Sequence, residues 1–192
     1  MDTRAEILKK NFEILRRQGF GGIRADKSVA EIGVTKGALY HYFPSKRDLG
    51  YAIFDEIITP RYQSLWSRSE QTEANPIDVM ISTIEDLSRS TCENISLGCP
   101  LNNIAQEMSG LDDGFTKRIE SLYEVMQNQL ASALSKGKKK GLVKKDCDPK
   151  NAAIFIVAST EGAFGIGKAL QSEKAFQTAL KELIRYINSL RA

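Results

Sequence analysis

Apolar residues recur three and four positions apart along most of this chain, the spacing that gathers side chains on one face of an α-helix, and no stretch keeps the strict alternation of a strand. Leu8, Phe12 and Leu15 form one such stripe, with Ile7 and Ile14 beside it, and predict a first helix over residues 3–18 that Gly19 stops. Ala25, Val29 and Ile32 face inward on a short helix over 24–32, Gly33-Val34 turns the chain, and a second short helix covers 35–42. Pro44-Ser45 breaks the pattern. Ser45 caps a long helix that starts at Lys46 and that Pro60 kinks or splits.

Asn75-Pro76 opens a helix to about residue 94, and Gly98-Cys99-Pro100 opens a shorter one ending near Ser109-Gly110. Phe115, Ile119, Leu122, Met126, Leu130 and Leu134 line up on a helix over 112–136, after which the Gly/Lys-rich stretch 136–145 reads as a turn. Asp148-Pro149, a cap followed by proline at the first helical position, starts a helix to about 170, and a last one runs over 173–190. The pattern predicts an all-α protein of about nine helices. A three-helix head, residues 1–47, precedes a larger helical body, residues 48–192.

The net charge of +3 over 192 residues says little by itself, but its distribution is uneven. Residues 1–50 hold ten Lys/Arg against six Asp/Glu, and the remainder holds 17 against 18, so the positive excess sits at the head. The three cysteines, Cys92, Cys99 and Cys147, are odd in number and irregularly spaced, which fits neither a disulfide framework nor a zinc site. Cys147, beside Lys144 and Lys145, is expected to be the most exposed thiol. No apolar run approaches the roughly 20 residues of a membrane span and the N-terminus is no signal peptide, so a cytoplasmic protein is expected.

The most informative segment is Gly33 to Lys46, GVTKGALYHYFPSK. It reads as the second half of a helix-turn-helix: two short helices meeting across a glycine turn, the second too short to be stable alone. Leu39 and Phe43, four apart, pack on the first helix, while Lys36 and Tyr40 fall on another face. Small Gly37 and Ala38 let the helix start approach base edges, where a recognition helix reads sequence. A lysine donates to guanine O6 and N7, and a tyrosine packs on a thymine methyl or reaches a phosphate. Thr35, Tyr42 and Lys46 flank this face as phosphate donors. The only histidine, His41, lies in the same segment, so a histidine triad or histidine metal cluster would have to be built inside the head. No enzyme activity, cofactor or metal is expected.

Residues 4–54 resemble the signature of the TetR/AcrR family of bacterial repressors: Gly19-Phe20, then Gly33-Val34-Thr35-Lys36-Gly37-Ala38-Leu39-Tyr40-His41-Tyr42-Phe43, then Pro44-Ser45-Lys46 with Leu49 after it. The resemblance implies that Lys36, Gly37 and Tyr40 read bases and that Arg24, Thr35, His41, Tyr42 and Lys46 support or contact the DNA backbone. It further implies a body that holds a small-molecule effector and dimerises. The chain departs from the pattern at Ile23-Arg24-Ala25, where members carry Thr or Ser then Val, and Arg24 stands in for the phosphate contacts there.

In the body, Ser96 to Met108 places a thiol, two amides and a carboxylate at the start of a helix, with Asn103 and Glu107 on one face. Cys99, Asn103 and Glu107, together with Trp66, Tyr123 and Phe164, are the candidate effector residues, with thiol chemistry at Cys99 as the alternative trigger. The last two helices, rich in Ala, Gly and large aliphatics, are expected to pair with their copies in a homodimer. The expected function is a regulator, released from palindromic double-stranded operator DNA by its effector. An enzyme built on Cys99 and Glu107, or an architectural DNA-binding protein without effector, are the alternatives.

Overall fold

A computed structural model describes residues 2–71 and 73–192, without the side chains of Ala25, Asp26, Lys27 and Gln71, so the expected inward face of Ala25 lies outside the described residues. The chain is all-α. Among the described residues the only β pairing is an isolated bridge between Val143 and Arg191. Two compact units emerge: Met1–Arg61 with Pro100–Glu120, and Tyr62–Cys99 with Ser121–Ala192.

The first unit opens with α1 (Thr3–Gln18), capped by Asp2, whose carboxylate accepts the Arg4 N–H at 3.0 Å, and ended by Gly19 at φ 74°. Its stripe is buried as the spacing predicts: Ile7, Leu8, Phe12 and Leu15 are all inside. Then come α2 (Ala25–Ala30), the turn through Gly33 at φ 69°, and α3 (Lys36–Tyr42). Thr35 caps α3 by accepting the Ala38 N–H at 3.2 Å. Ser45 does the same for α4 (Lys46–Ile53), accepting the Asp48 N–H at 3.1 Å.

The expected break at Pro60 takes the form of a π-helical turn, Phe54–Ile58, between α4 and α5 (Thr59–Gln71). Proline has no N–H to offer the carbonyl four residues earlier and its ring crowds that carbonyl, so the helix widens before it. This unit is completed by α8 (Pro100–Met108) and by Asp113–Glu120, the start of α9 (Asp113–Lys139).

The second unit contains α6 (Pro76–Ser88), α7 (Cys92–Leu97), α10 (Pro149–Ala169) and α11 (Glu173–Ser189), with the later parts of α5 and α9. The single helix expected over 76–94 is two helices, because Thr91 offers a competing cap, its hydroxyl accepting the Asn94 N–H at 3.3 Å. The turn expected from residue 136 starts later. Gly137 stays helical because its missing side chain admits a neighbour: a Cβ there would come within 2.7 Å of Pro76 Cγ and 2.8 Å of Val143 Cγ2. A glycine read as a breaker is here a point of close packing.

Cys147 is not the exposed thiol. It is buried, its carbonyl accepting from Lys138 Nζ at 2.7 Å, and burial pushes its pKa up, whereas Cys92 is the exposed one. The large apolar residues of α11, Phe176, Leu180, Leu183 and Ile187, are buried within the chain itself. On α10, by contrast, Ile154, Phe155 and Ile166 are exposed, as is Leu170 just past its end. α10 is also the one described helix long and apolar enough to cross a membrane by length and composition, a test that the core helix of a soluble protein passes equally.

Candidate nucleic-acid interface and effector cluster

On α3, Leu39 is buried and Phe43, just past the helix end, joins it in the core, so the opposite face is left outside. Lys36 and Gly37 are exposed and Ala38 half-buried. Tyr40 and Tyr42 are 42% and 40% exposed, unusual for such large rings inside an otherwise well-buried apolar set. Lys36 Nζ lies 6.0 Å from the centre of the Tyr40 ring, and His41 stacks edge-on against Tyr42 at 5.3 Å. The structure therefore brings Thr35, Lys36, Gly37, Tyr40, His41 and Tyr42 together on one short, capped helix. Arg24 is also exposed, and its carbonyl accepts the Ser28 N–H at 3.0 Å as α2 begins.

Lys46 is placed differently. Its ammonium donates to the Gly21 carbonyl at 3.2 Å and sits 4.8 Å above the Phe20 ring, so it braces the loop between α1 and α2. Glu107, expected to face an effector, braces the same loop from the other side. Its two oxygens accept the Phe20 and Gly21 N–H groups at 2.7 Å each. Close by in the chain, Asp112 accepts from the Tyr51 hydroxyl at 2.5 Å, from Arg47 Nε at 2.7 Å and from the Phe115 N–H at 3.0 Å. Those bonds, the Tyr51 hydroxyl first, hold the Asp112 carboxyl below its usual range. The first unit thus carries a positively biased, outward face whose supporting loop is fixed by Glu107, while Asp112 ties Tyr51 and Arg47 of α4 to the start of α9.

The other effector candidates divide between the units. Asn103 lies on α8 in the first, half-buried. Trp66, Cys99, Tyr123 and Phe164 all belong to the second. Phe164 is half-buried and packs on the buried Phe176 ring, with centroids 4.8 Å apart. Cys99 and Tyr123 belong to a polar cluster that includes two residues the pattern did not single out, Tyr62 and Glu161. The Cys99 thiol hydrogen-bonds the Glu161 carboxyl, and the Tyr62 hydroxyl meets Cys99 Sγ at 3.0 Å. A thiol that donates to the carboxyl leaves its sulfur to accept, so the Tyr62 O–H is the donor in that second contact. Tyr123 faces the same groups, its phenol raised by burial first and then by the charges of Glu161 and Cys99. Glu161 itself is pushed up to about 7 by burial, against which the Cys99 contact acts in the other direction.

Two buried atoms, Glu161 Oε2 and Trp66 Nε1, have no hydrogen-bond partner. Trp66 is one helical turn beyond Tyr62 on α5 and fully buried. A sequence signal for Glu161 did exist, since it is the one carboxylate in the apolar run from Ala152 to Gly167.

An exposed, N-capped helix entered through a glycine turn and packed on α1 and α2 defines a helix-turn-helix protein of the DNA-binding class. The tetR family of bacterial regulatory proteins matches residues 7–53, and the tetracyclin repressor-like C-terminal domain matches residues 80–183. The chain belongs to the TetR family of bacterial transcriptional regulators. Similar proteins include the HTH-type transcriptional regulator in the lacX 3′ region of Lactococcus lactis, 29% identical over 88% of this chain and 85% of its own length. The repressor NemR of Escherichia coli K12 is 23% identical over 93% and 90%. Among solved structures, a TetR regulator from Chloroflexus aurantiacus has a TM-score of 0.86 at 22% identity, covering 99% of this chain and 96% of that one.

Proposed function

We propose that this regulator is a repressor that holds palindromic operator DNA as a homodimer and releases it when a small molecule binds in the second unit. The observation that carries the reading is the Lys36–Tyr40 face, exposed on a capped helix whose other side is core. Lys36, Gly37 and Tyr40 read bases, Ala38 leaves room for them, and Arg24, Thr35, His41 and Tyr42 meet the backbone. One seven-residue helix reads few bases, so specificity needs a second copy. The exposed apolar residues of α10, Ile154, Phe155 and Ile166, with Ala158 and Gly162 between them and Leu170 just past the helix end, support a self-complementary interface. NemR is named a repressor, which favours release rather than recruitment as the mode of control.

The effector reading rests on the buried cluster of Tyr62, Cys99, Tyr123 and Glu161. Cys99 is buried, which sets an electrophile or oxidant in bulk water at a disadvantage as the trigger. Selection of binding sites from random DNA tests the function directly. The expected product is an inverted repeat with half-site centres about 34–36 Å apart, or a multiple of that spacing. Failure to enrich any repeat overturns the reading. Gel shifts on the selected site, with wild type and Cys99→Ser, then show whether release survives without the thiol, as expected for a binding effector.

A further inference from the structure

Glu161 is an anomaly that the fold does not need. An acid buried in an apolar helix costs stability unless it is paired, and large acid residues are rarely placed inside without a partner. No Lys, Arg or His among the described residues forms an ion pair with it. The groups that face it are uncharged: the Cys99 thiol from the turn before α8 and the Tyr123 phenol from α9, with the Tyr62 hydroxyl from α5 behind the thiol. One of its oxygens is left without any donor. The chain supplies a buried acceptor, aromatic walls and no counter-charge.

We propose that Glu161 is the recognition point for a small organic cation, an ammonium-type group on an apolar body. The ammonium occupies the unpartnered side of the Glu161 carboxylate, where Oε2 lacks a donor. The apolar body lies against the Tyr123 ring, and an aromatic face attracts a cation as well as hydrocarbon. The unpaired Trp66 N–H is a donor for an acceptor atom elsewhere on the same molecule. An anion is disfavoured by the carboxylate, and a neutral isostere forfeits the ion pair that compensates the burial of the acid. The proposal rests on the effector-responsive reading above and names the chemical class of that effector.

Binding of a cation requires the ionised carboxylate, so affinity is linked to its titration. With a carboxyl pushed up to about 7, the ionised fraction falls about tenfold between pH 8 and pH 6, and cation affinity falls with it. Neutral and anionic ligands have no reason to follow that course.

The chain carries its own reporter, because Trp66 is the only tryptophan. Three probes of one shape and different charge are titrated against its fluorescence: cyclohexylmethylammonium, cyclohexylmethanol and cyclohexanecarboxylate, each to tens of millimolar. The cation is expected to bind at least tenfold more tightly than either other probe at pH 8, and to lose about tenfold in affinity at pH 6. Glu161→Gln is expected to abolish both the preference and the pH dependence. The wild-type charge series and pH series stand without the variant should it fail to fold. The proposal is overturned if the alcohol or the carboxylate binds as well as the cation, if cation binding ignores pH, if it persists in Glu161→Gln, or if no probe perturbs Trp66. Operator binding by gel shift is read separately on the same protein. Intact operator binding with no cation preference rejects this inference alone, whereas loss of operator binding rejects the regulator reading.

Discussion

The Glu107 carboxylate holds the backbone N–H groups of Phe20 and Gly21 at 2.7 Å each, closing the loop between α1 and α2 from a helix 86 and 87 residues away in sequence. The fit is tight: a Cβ at Gly19 would lie 2.6 Å from Glu107 Oε2, and Gly19 has the positive φ of 74° that ends α1. Charge-assisted bonds to backbone N–H groups are among the stronger ones, and removing the acceptor leaves two donors dependent on water.

Glu107→Ala is therefore expected to destabilise the protein by about 1–3 kcal/mol, with Glu107→Gln losing roughly half as much because an amide offers one acceptor oxygen. Because this loop leads into α2, operator affinity is expected to fall in the same order. Denaturant unfolding checks the first effect and gel shifts the second. An Ala variant with the wild-type midpoint would show that the clamp contributes nothing.

Lys36 and Tyr40 differ from Lys46 in what they touch, and their substitutions should separate. Lys36→Ala and Tyr40→Ala are each expected to weaken specific operator binding by about 1–3 kcal/mol and to blur preference at particular bases. Arg24→Ala should lower binding to every sequence and reduce the salt slope by about one unit, as loss of a phosphate contact does. Lys46→Ala should leave that slope close to wild type and lower thermal stability instead, since its ammonium braces Gly21 and Phe20. Salt titrations of operator affinity distinguish the two lysines, and an Arg24-like slope change at Lys46 would reverse the assignment.

What could be read from the chain before its structure was the part governed by short-range rules. Stripes such as Leu8, Phe12 and Leu15, caps at Ser45 and Asp148, and the exposed Lys36–Tyr40 side of α3 follow from residues three or four apart, and they stand in the structure. Glu107 was read on the same terms, by its face on a short helix, but its role depends on loop N–H groups far away in sequence. Gly137 and Thr91 were ambiguous for a local reason. A glycine marks either a turn or a close approach, and a threonine either continues a helix or caps a new one. Glu161 stands out in the sequence only as the single carboxylate of an apolar run, and its burial without a counter-charge is visible only in the structure.

Glu161 also makes stability depend on pH. Its folded-state pKa, about 7, lies above the ordinary 4.5, so between those values the folded protein keeps a proton that the unfolded chain has released. Stability should fall as pH rises through that window and level off above it. Glu161→Gln removes the effect and is expected to be more stable than wild type by about 2–4 kcal/mol at pH 8, with little difference at pH 4.5. Thermal melts of both proteins across this range decide the matter. Parallel curves would mean that Glu161 titrates normally.

The proposed dimer interface is where burial and sequence pattern pull apart most clearly, and the contrast gives the sharpest test. Both terminal helices carry apolar residues, but on α11 Leu183 is buried in the same chain, as Ile156 is on α10. A charge at either site has no water to reach, so Ile156→Glu and Leu183→Glu should unfold the chain rather than separate two copies. Ile154 and Ile166, on the other hand, are 51% and 42% exposed, twelve residues apart on a face that also bears Ala158 and Gly162. Small residues at the centre of such a face let two helices approach closely, with the larger side chains packing at either end. Ile154→Glu and Ile166→Glu should therefore keep the wild-type circular dichroism spectrum while shifting the sedimentation coefficient from dimer to monomer. Operator affinity should fall steeply with that shift, because each monomer presents a single reading helix, while weak sequence-independent binding through Lys36 and Arg24 persists. Sedimentation of these variants as dimers, with operator binding unchanged, would place the interface elsewhere and leave the exposed apolar face of α10 without this role.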